Sequence, residues 1–141
     1  MPSASRQQRL TISLLALRIG VFVVMIVWTL DKFLNPGHSQ GVFERFYGMP
    51  GLDTGVTYAI GAAQLLVVLA FAAGFLKRFS YGLVLLMHGV STLSSYAQYL
   101  DPYNGANILF FAAWPMLAAC LALYLLRDDD RIASIDAYRG A

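Results

Sequence analysis

The segment LTISLLALRIGVFVVMIVWTL, residues 10–30, decides the fold class. It is 21 residues long and apolar except for Arg18 and a few hydroxyl groups. About 20 such residues suffice for an α-helix to cross the hydrocarbon core of a bilayer. Secretory signal sequences have apolar cores of only about 7–15 residues and end at a small-residue cleavage site, and no such site precedes Asp31. We therefore predict an uncleaved membrane-spanning helix.

Three further segments have the same character, at residues 55–76, 79–100 and 106–126. None shows the period-two alternation of apolar and polar residues that is typical of strands in a membrane barrel. We predict an all-α fold, a four-transmembrane-helix bundle that forms a single transmembrane domain over residues 1–141.

The composition supports a membrane protein and excludes several function classes. Hydrophobic residues make up 58% of the chain and charged residues 13%, against about 25% charged residues in soluble domains. The net charge of +2 is small and the basic residues form no patch, so no nucleic-acid partner is expected. The single cysteine, Cys120, excludes an internal disulfide or CxxC redox pair, and His38 lies in a loop, which disfavours joint haem ligation with His88. We expect no metal and no covalently bound cofactor.

The distribution of basic residues predicts the orientation in the plasma (inner) membrane. One side carries Arg6, Arg9, Lys77, Arg78, Arg127, Arg131 and Arg139, and the other carries only Lys32 and Arg45. Because cytoplasmic segments are enriched in Lys and Arg, both termini should be cytoplasmic. The tails are then residues 1–9 and 127–141, and the second tail is expected to be a helix end followed by a solvated terminus.

The first connection, from Asp31 to about Thr54, is the longest. Its stretch GVFERFYGMPGLD, residues 41–53, mixes aromatic residues with a few charges, as do segments that lie among lipid headgroups. We predict a short interfacial or re-entrant helix there.

The third segment carries a polar stripe. His88, Ser91, Ser95 and Gln98 follow one another at steps of 3, 4 and 3 residues and so share one helix face. Hydrocarbon disfavours such a face, so it should point into the bundle. These groups could serve packing alone through hydrogen bonds to each other and to carbonyl groups, or His88 could have a functional role.

Arg18 is open to two interpretations. Its guanidinium could snorkel to the cytoplasmic surface, or it could face inward and pair with a polar group such as Gln64 on the second helix. The spacing places Lys32 on the same face as Arg18.

Asp31 poses a similar question at the other end of the first helix. A carboxylate near a helix C-terminus is opposed by the helix dipole, so a partner is expected: Arg45, Tyr96 or Tyr99. In that interpretation the stretch around Asp31 and Lys32 is the hinge of a lid over the outer mouth of the bundle. The alternative is a solvated charge pair.

Two stretches resemble the DoxX family of membrane proteins. They are LRIGVFVVMIVWTLDKFLNP, residues 17–36, and GAAQLLVVLAFAAGFLKR, residues 61–78. The resemblance implies a four-helix bundle in the plasma membrane and a small subunit that accompanies quinol oxidation or thiosulfate:quinone oxidoreduction. Gln64 stands where many members of the family would have a glutamate, which weakens any proton-handling role at that position.

The leading functional hypothesis is a membrane subunit associated with quinone-linked redox chemistry, with quinone as the cofactor and a polar site in the outer half of the bundle. The alternative is a non-catalytic accessory or assembly subunit of a larger membrane complex; a transporter or an unrelated intramembrane enzyme fits less well. In either leading case the partners are the lipid bilayer and other membrane subunits. The candidate polar site comprises Arg18, Trp28, Asp31, Lys32, Gln64, His88, Ser91, Ser95 and Tyr96.

Overall fold

Residues 3–140 are described by a computed structural model, and every regular element among them is helical. The all-α prediction is confirmed. The elements are α1 (Ala4–Leu34), α2 (Pro36–Tyr47), α3 (Thr54–Ala72), α4 (Lys77–Ser94), α5 (Tyr96–Leu100), a 3₁₀ helix (Asn107–Ala112), α6 (Ala113–Leu125) and α7 (Ile135–Arg139).

Three helical stretches within residues 3–140 are long and apolar enough to cross a membrane: Ala4–Leu34, Thr54–Ala72 and Asn107–Leu125. They correspond to the first, second and fourth predicted spans and indicate a multi-pass membrane protein. The third predicted span, residues 79–100, is divided. It consists of α4 and α5, which meet at Ser95, where the backbone (φ −91°, ψ 22°) interrupts the helix.

The four long helices form a ring, since α1 and α4 each pack against both α3 and α6. The tail end of this bundle holds the start of α1, the end of α3, the start of α4 and the end of α6. The loop end holds the opposite termini together with α2 and α5. The core between the helices is apolar and consists of Leu14, Val21, Met25, Val68, Phe71, Tyr81, Val84, Cys120 and Leu123.

Small residues let α1 and α3 approach closely, as expected for helices packed in a membrane. A Cβ atom added to Gly61 would lie 2.9 Å from the ring of Phe33, so a larger residue would push the helices apart. The outward faces instead carry exposed Val23, Val27, Leu66 and Leu86, which suits contact with lipid.

The first connection folds into α2, which packs against α1, α3 and α4 at the loop end. It begins at Pro36. Proline has no backbone N–H, and the first residue of a helix needs none because its N–H would have no acceptor within the helix. It ends at Gly48, whose φ of 63° favours glycine.

Pro115 lies in the first turn of α6, preceded by the 3₁₀ helix Asn107–Ala112. Proline is tolerated in a first turn because that turn needs no N–H donor. The change from 3₁₀ helix to α-helix occurs two residues before Pro115.

The prediction of a solvated C-terminal tail is wrong at specific positions of its described part, residues 127–140, although most of its side chains are exposed. Asp130 and Ser134 are fully buried. The backbone N–H groups of Ile135 and Asp136 donate to the carbonyl oxygens of Ala73 and Gly74 at 2.9 and 3.0 Å. The tail thus folds back over the tail end of the bundle.

Candidate functional site

Arg18 of α1 binds the folded-back tail. Its side chain is 2% exposed, and its Nε lies 3.5 Å from Oδ2 of Asp130. Its terminal nitrogens donate to the carbonyl oxygens of Ala133, at 3.2 Å, and Ile132. Arg18 therefore points into the bundle instead of snorkelling, and its partner is Asp130 rather than Gln64.

Asp130 is shared between α1 and α4. The hydroxyl of Tyr81 donates to its Oδ2 at 2.6 Å, whereas Oδ1 has no hydrogen-bond partner among the described residues. Removing one member of a buried ion pair typically costs about 3–5 kcal/mol, because the other charge remains uncompensated. Arg18 and Asp130 therefore depend on each other to remain buried.

Lys77 is a second cation that fastens the tail. Its Nζ donates to the carbonyl oxygens of Arg127 at 2.6 Å and of Asp130 at 2.9 Å. Lys77 lies before the predicted 79–100 span. Burial lowers the pKa of its ammonium below the usual value, and the nearby carboxylates of Asp130 and Asp136 only partly oppose this shift. The carbonyl contacts compensate part of the lost hydration.

The tail also caps α4. Leu76, the residue before that helix, offers no side-chain cap. The carboxylate of Asp136 supplies one from 60 residues away, accepting from the N–H groups of Leu76 at 2.9 Å and Lys77 at 2.8 Å. A carboxylate at this position satisfies free N–H donors and is favoured by the helix dipole.

Gly74 allows the tail to approach. It has a φ of 60°, and a Cβ atom there would lie 2.6 Å from Nη1 of Arg18 and 2.7 Å from Oγ of Ser134. The Ser134 hydroxyl donates to the Gly74 carbonyl oxygen at 3.2 Å. Both the backbone conformation and the lack of space require glycine here.

We call this assembly the tail lock; its members are Arg18, Lys77, Tyr81, Asp130, Ser134 and Asp136. Only Arg18 was among the sequence candidates. A signal for Asp130 was available in the three consecutive aspartates 128–130, in a chain with only 8 acidic residues. The buried Arg18 needed an acid, and this run is where acids are concentrated.

At the loop end, Asp31 joins α1 to α2. Its Oδ2 accepts from the Ser39 hydroxyl at 2.7 Å and lies 2.7 Å from Nδ1 of His38. The expected partners Arg45, Tyr96 and Tyr99 are wrong, because the start of α2 turns back directly over Asp31.

Trp28 and Lys32 lie beside this corner. The indole of Trp28 stacks on the His38 ring at 6.3 Å between centroids. Lys32 is buried, donates to the Trp28 carbonyl oxygen at 3.3 Å, and lies 5.8 Å from the centre of the Phe43 ring. Trp28, Asp31 and Lys32 thus form one loop-end corner, whereas Arg18 lies toward the tail end of the bundle.

His88 lies at the seam between α4 and α6. Its Nε2 is 3.0 Å from the Ala113 carbonyl oxygen and 3.3 Å from the hydroxyl of Thr92. Further along the stripe, the Ser95 hydroxyl donates to the Ser91 carbonyl oxygen at 3.3 Å. His88 thus contacts α6 directly, and Ser91 and Ser95 continue the polar stripe along α4.

An aromatic cluster adjoins that seam. The Tyr99 hydroxyl donates to the Thr92 carbonyl oxygen at 2.8 Å. Its ring lies 5.3 Å from that of Phe111 and 5.5 Å from that of Trp114. Phe111 and Trp114 are more than one-third exposed, so the cluster is accessible from the surrounding lipid.

Two sequence candidates join none of these three groups. Gln64 is half-buried on α3, and Tyr96 is 68% exposed at the start of α5. The nine predicted residues therefore do not converge on one site.

Two cavities open on the surface. The larger, of about 440 Å³ at the loop end, is lined by residues that include Arg45, Gln98, Asp101 and Phe110. The smaller, of about 200 Å³, is mainly apolar and adjoins Arg18.

Across residues 3–140, no group of three His, Cys, Asp or Glu side chains has the geometry to hold a metal ion. Comparison with known proteins gives no further guide to the chemistry of these sites. No family model, curated protein or solved structure matches this chain.

Proposed function

We propose that this chain is a four-span membrane protein of the DoxX type, a small subunit associated with quinone-linked redox chemistry. In this proposal α4 and α5 form the remaining span beside the three apolar stretches, and α2 lies at the membrane interface. Both termini are cytoplasmic, in the plasma membrane. The resemblance of residues 17–36 and 61–78 to the family motivates the proposal.

The observation that carries it is the link between His88 and the exposed aromatic cluster through Thr92, whose hydroxyl lies 3.3 Å from Nε2 of His88 and whose carbonyl oxygen accepts from Tyr99. A quinone headgroup combines a flat ring with two carbonyl acceptors. Phe111 and Trp114 offer accessible ring faces for stacking. Nε2 of His88 lies 3.0 Å from the carbonyl oxygen of Ala113, the residue before Trp114, and in the tautomer that carries the proton on Nε2 it can donate to a quinone carbonyl instead.

The role of the chain in this proposal is to bind and orient the headgroup. The Thr92 hydroxyl, 3.3 Å from Nε2 of His88, borders the site. Electrons reach the quinone from a partner subunit, and this chain positions the quinone at the seam between α4 and α6.

A second candidate is a purely structural subunit, and the hydrogen bonding of the polar stripe favours it. The hydroxyls of Thr92, Ser94 and Ser95 donate to the carbonyl oxygens of His88, Val90 and Ser91. Such bonds to the preceding turn satisfy the hydroxyls without any ligand.

The test is the quinone content of protein purified by mild detergent extraction. The wild type should retain quinone, and His88→Leu should retain at least about tenfold less, because a lost hydrogen bond to a buried acceptor corresponds to about 1.5 kcal/mol or more. His38→Leu, the same change at the exposed loop-end histidine, should retain the wild-type amount.

Native mass spectrometry of the same samples separates the two candidates. Bound quinone that is lost with His88→Leu supports the quinone subunit. Stable partner subunits without any quinone, in wild type and variant alike, would contradict it and support the structural subunit.

A further inference from the structure

The larger cavity, which we call the loop-end groove, lies between α5 and the 3₁₀ helix, with Arg45 of α2 in its lining. Its volume of about 440 Å³ is within the range of small-ligand sites, about 300–1,000 Å³. Its walls combine Phe110 with charged and carboxamide side chains. A ligand of mixed character, polar at one end, matches such walls.

Gln98 is the feature that points to a ligand. Its side chain is 8% exposed, lines the groove, and has an Oε1 atom with no hydrogen-bond partner among the described residues. Buried polar groups are nearly always hydrogen-bonded. Oε1 is itself inaccessible in this position, and a half-turn of the carboxamide, which exchanges Oε1 and Nε2, brings the acceptor to the groove.

The charges in the lining specify the chemistry of that ligand. Arg45 and Asp101 both line the groove, and neither forms an ion pair within residues 3–140. Oδ2 of Asp101 accepts from the Asn104 amide at 3.1 Å, a neutral donor that leaves the negative charge uncompensated. The groove therefore offers one free cation, one free anion and one unpaired amide.

We propose that the loop-end groove binds a phosphoethanolamine headgroup. The phosphate pairs with the guanidinium of Arg45, whose Cζ lies 5.2 Å from the centre of the Phe46 ring and is positioned by it. The primary ammonium, with three N–H donors, bonds to Asp101 and to the amide oxygen of Gln98. This site is separate from the proposed quinone seam and stands independently of it.

The favoured source of the headgroup is a phospholipid of the surrounding bilayer. Phe46 and Phe110, whose ring centroids are 5.9 Å apart, provide an apolar wall beside the polar lining. The glycerol and first acyl carbons of a lipid would follow that wall, whereas a free phosphoethanolamine would leave it uncovered.

Lipid binding to the full chain, measured by native mass spectrometry after delipidation, tests the proposal. Phosphatidylethanolamine should bind at least about tenfold more tightly than phosphatidylcholine, because a quaternary ammonium has no N–H to donate. Gln98→Leu should reduce this preference about fivefold, because it removes one acceptor of the ammonium and leaves Asp101 as the other. Arg45→Gln should weaken the binding of phosphatidylethanolamine about tenfold, and it should not unfold the protein because Arg45 is exposed.

Gln8→Leu makes the same chemical change as Gln98→Leu at an exposed position at the tail end, and it should keep the full lipid preference. Free phosphoethanolamine added in lipid-free micelles is a further arm. Binding there as tight as that of the lipid would keep the site and assign it to a soluble ligand. Equal binding of both lipids by the wild type, a lipid preference unchanged in Gln98→Leu, or phosphatidylethanolamine binding unchanged in Arg45→Gln would overturn the proposal.

Discussion

Arg18 is tolerated in an apolar helix because each nitrogen of its guanidinium has an oxygen partner in the tail. An arginine at the centre of a spanning helix otherwise costs about 2.5–3.5 kcal/mol on insertion scales. The charge is thus compensated within the chain, and the compensation depends on Asp130.

The interdependence of Arg18 and Asp130 can be measured in a double-mutant cycle. Asp130→Asn should lower stability by about 3–5 kcal/mol, since it leaves the guanidinium buried without a counter-charge. Arg18→Met in the same chain should recover at least about half of that loss, because neither charge then remains. The readout is thermal or denaturant unfolding in detergent. Additive losses in the double variant would show that the two side chains act separately.

Gly74→Ala should also be destabilising, by about 1–3 kcal/mol, because alanine is strained at a positive φ and its Cβ would displace Arg18 and Ser134. Gly20→Ala is the matched control. Nothing lies within 4 Å of a Cβ at that position in α1, so this change should be neutral or stabilising by up to about 1 kcal/mol. Equal unfolding midpoints for the two variants would contradict the role assigned to Gly74.

At the scale of elements, the long apolar helices could be predicted because length and composition alone determine them. The 3.6-residue period also predicted that Arg18 and Lys32 share one face of α1, and both side chains are buried. The interruption at Ser95 and the partners of Asp31 could not be predicted, because both depend on the path that the chain takes after the helix ends.

Asp31 should hold α2 against α1. Asp31→Ala removes the acceptor for Ser39 and the partner of His38, and charge-assisted hydrogen bonds contribute about 1.5–3 kcal/mol. We expect faster proteolysis between Gly41 and Asp53, with little change in the melting midpoint because the bundle is held by its helix packing. Asp31→Asn should be intermediate, since an amide oxygen still accepts a hydrogen bond.

The control for this experiment is Glu44→Ala, which removes an exposed acid from α2 itself. It should leave the cleavage rate at the wild-type value. If Asp31→Ala, Asp31→Asn and the wild type are cut equally fast, the corner does not secure α2.

The tail lock shows where sequence reasoning fails at this scale. Residues 127–140 are rich in charge and short of apolar periodicity, which is typical of a solvated terminus. The burial of Asp130 follows from its contacts with Arg18 and Lys77, more than 50 positions away. Local patterns do not contain such pairings, although an unpaired inward arginine is a reason to search for one.

At the scale of the whole molecule, the two ends of the bundle differ in charge, with seven basic residues against two. This asymmetry predicts that the tail end is cytoplasmic. Single cysteines in a Cys120→Ala background would report it by labelling with an impermeant maleimide. Asn104→Cys should react from outside the cell, and Arg78→Cys and Arg131→Cys should react only after permeabilisation.

These three positions are exposed, whereas Ser39 and Ser134 are buried and would report burial instead of sidedness. Detergent-solubilised protein serves as the control, because all three cysteines should react there. Labelling of Arg131→Cys in intact cells would reverse the predicted orientation.

The tail lock also has a consequence for the order of events during synthesis. Arg18 is made long before its contacts at Ile132 and Ala133, which follow it by 114 and 115 residues. At about 5–20 residues per second, the ribosome needs roughly 6–23 s to cover that distance. During this interval the first helix carries a charge that no later part of the chain can yet neutralise. A nascent chain that stalls before residue 130 would keep that charge without its partners, and this difference would let a membrane quality-control protease distinguish it from a chain that has formed the tail lock.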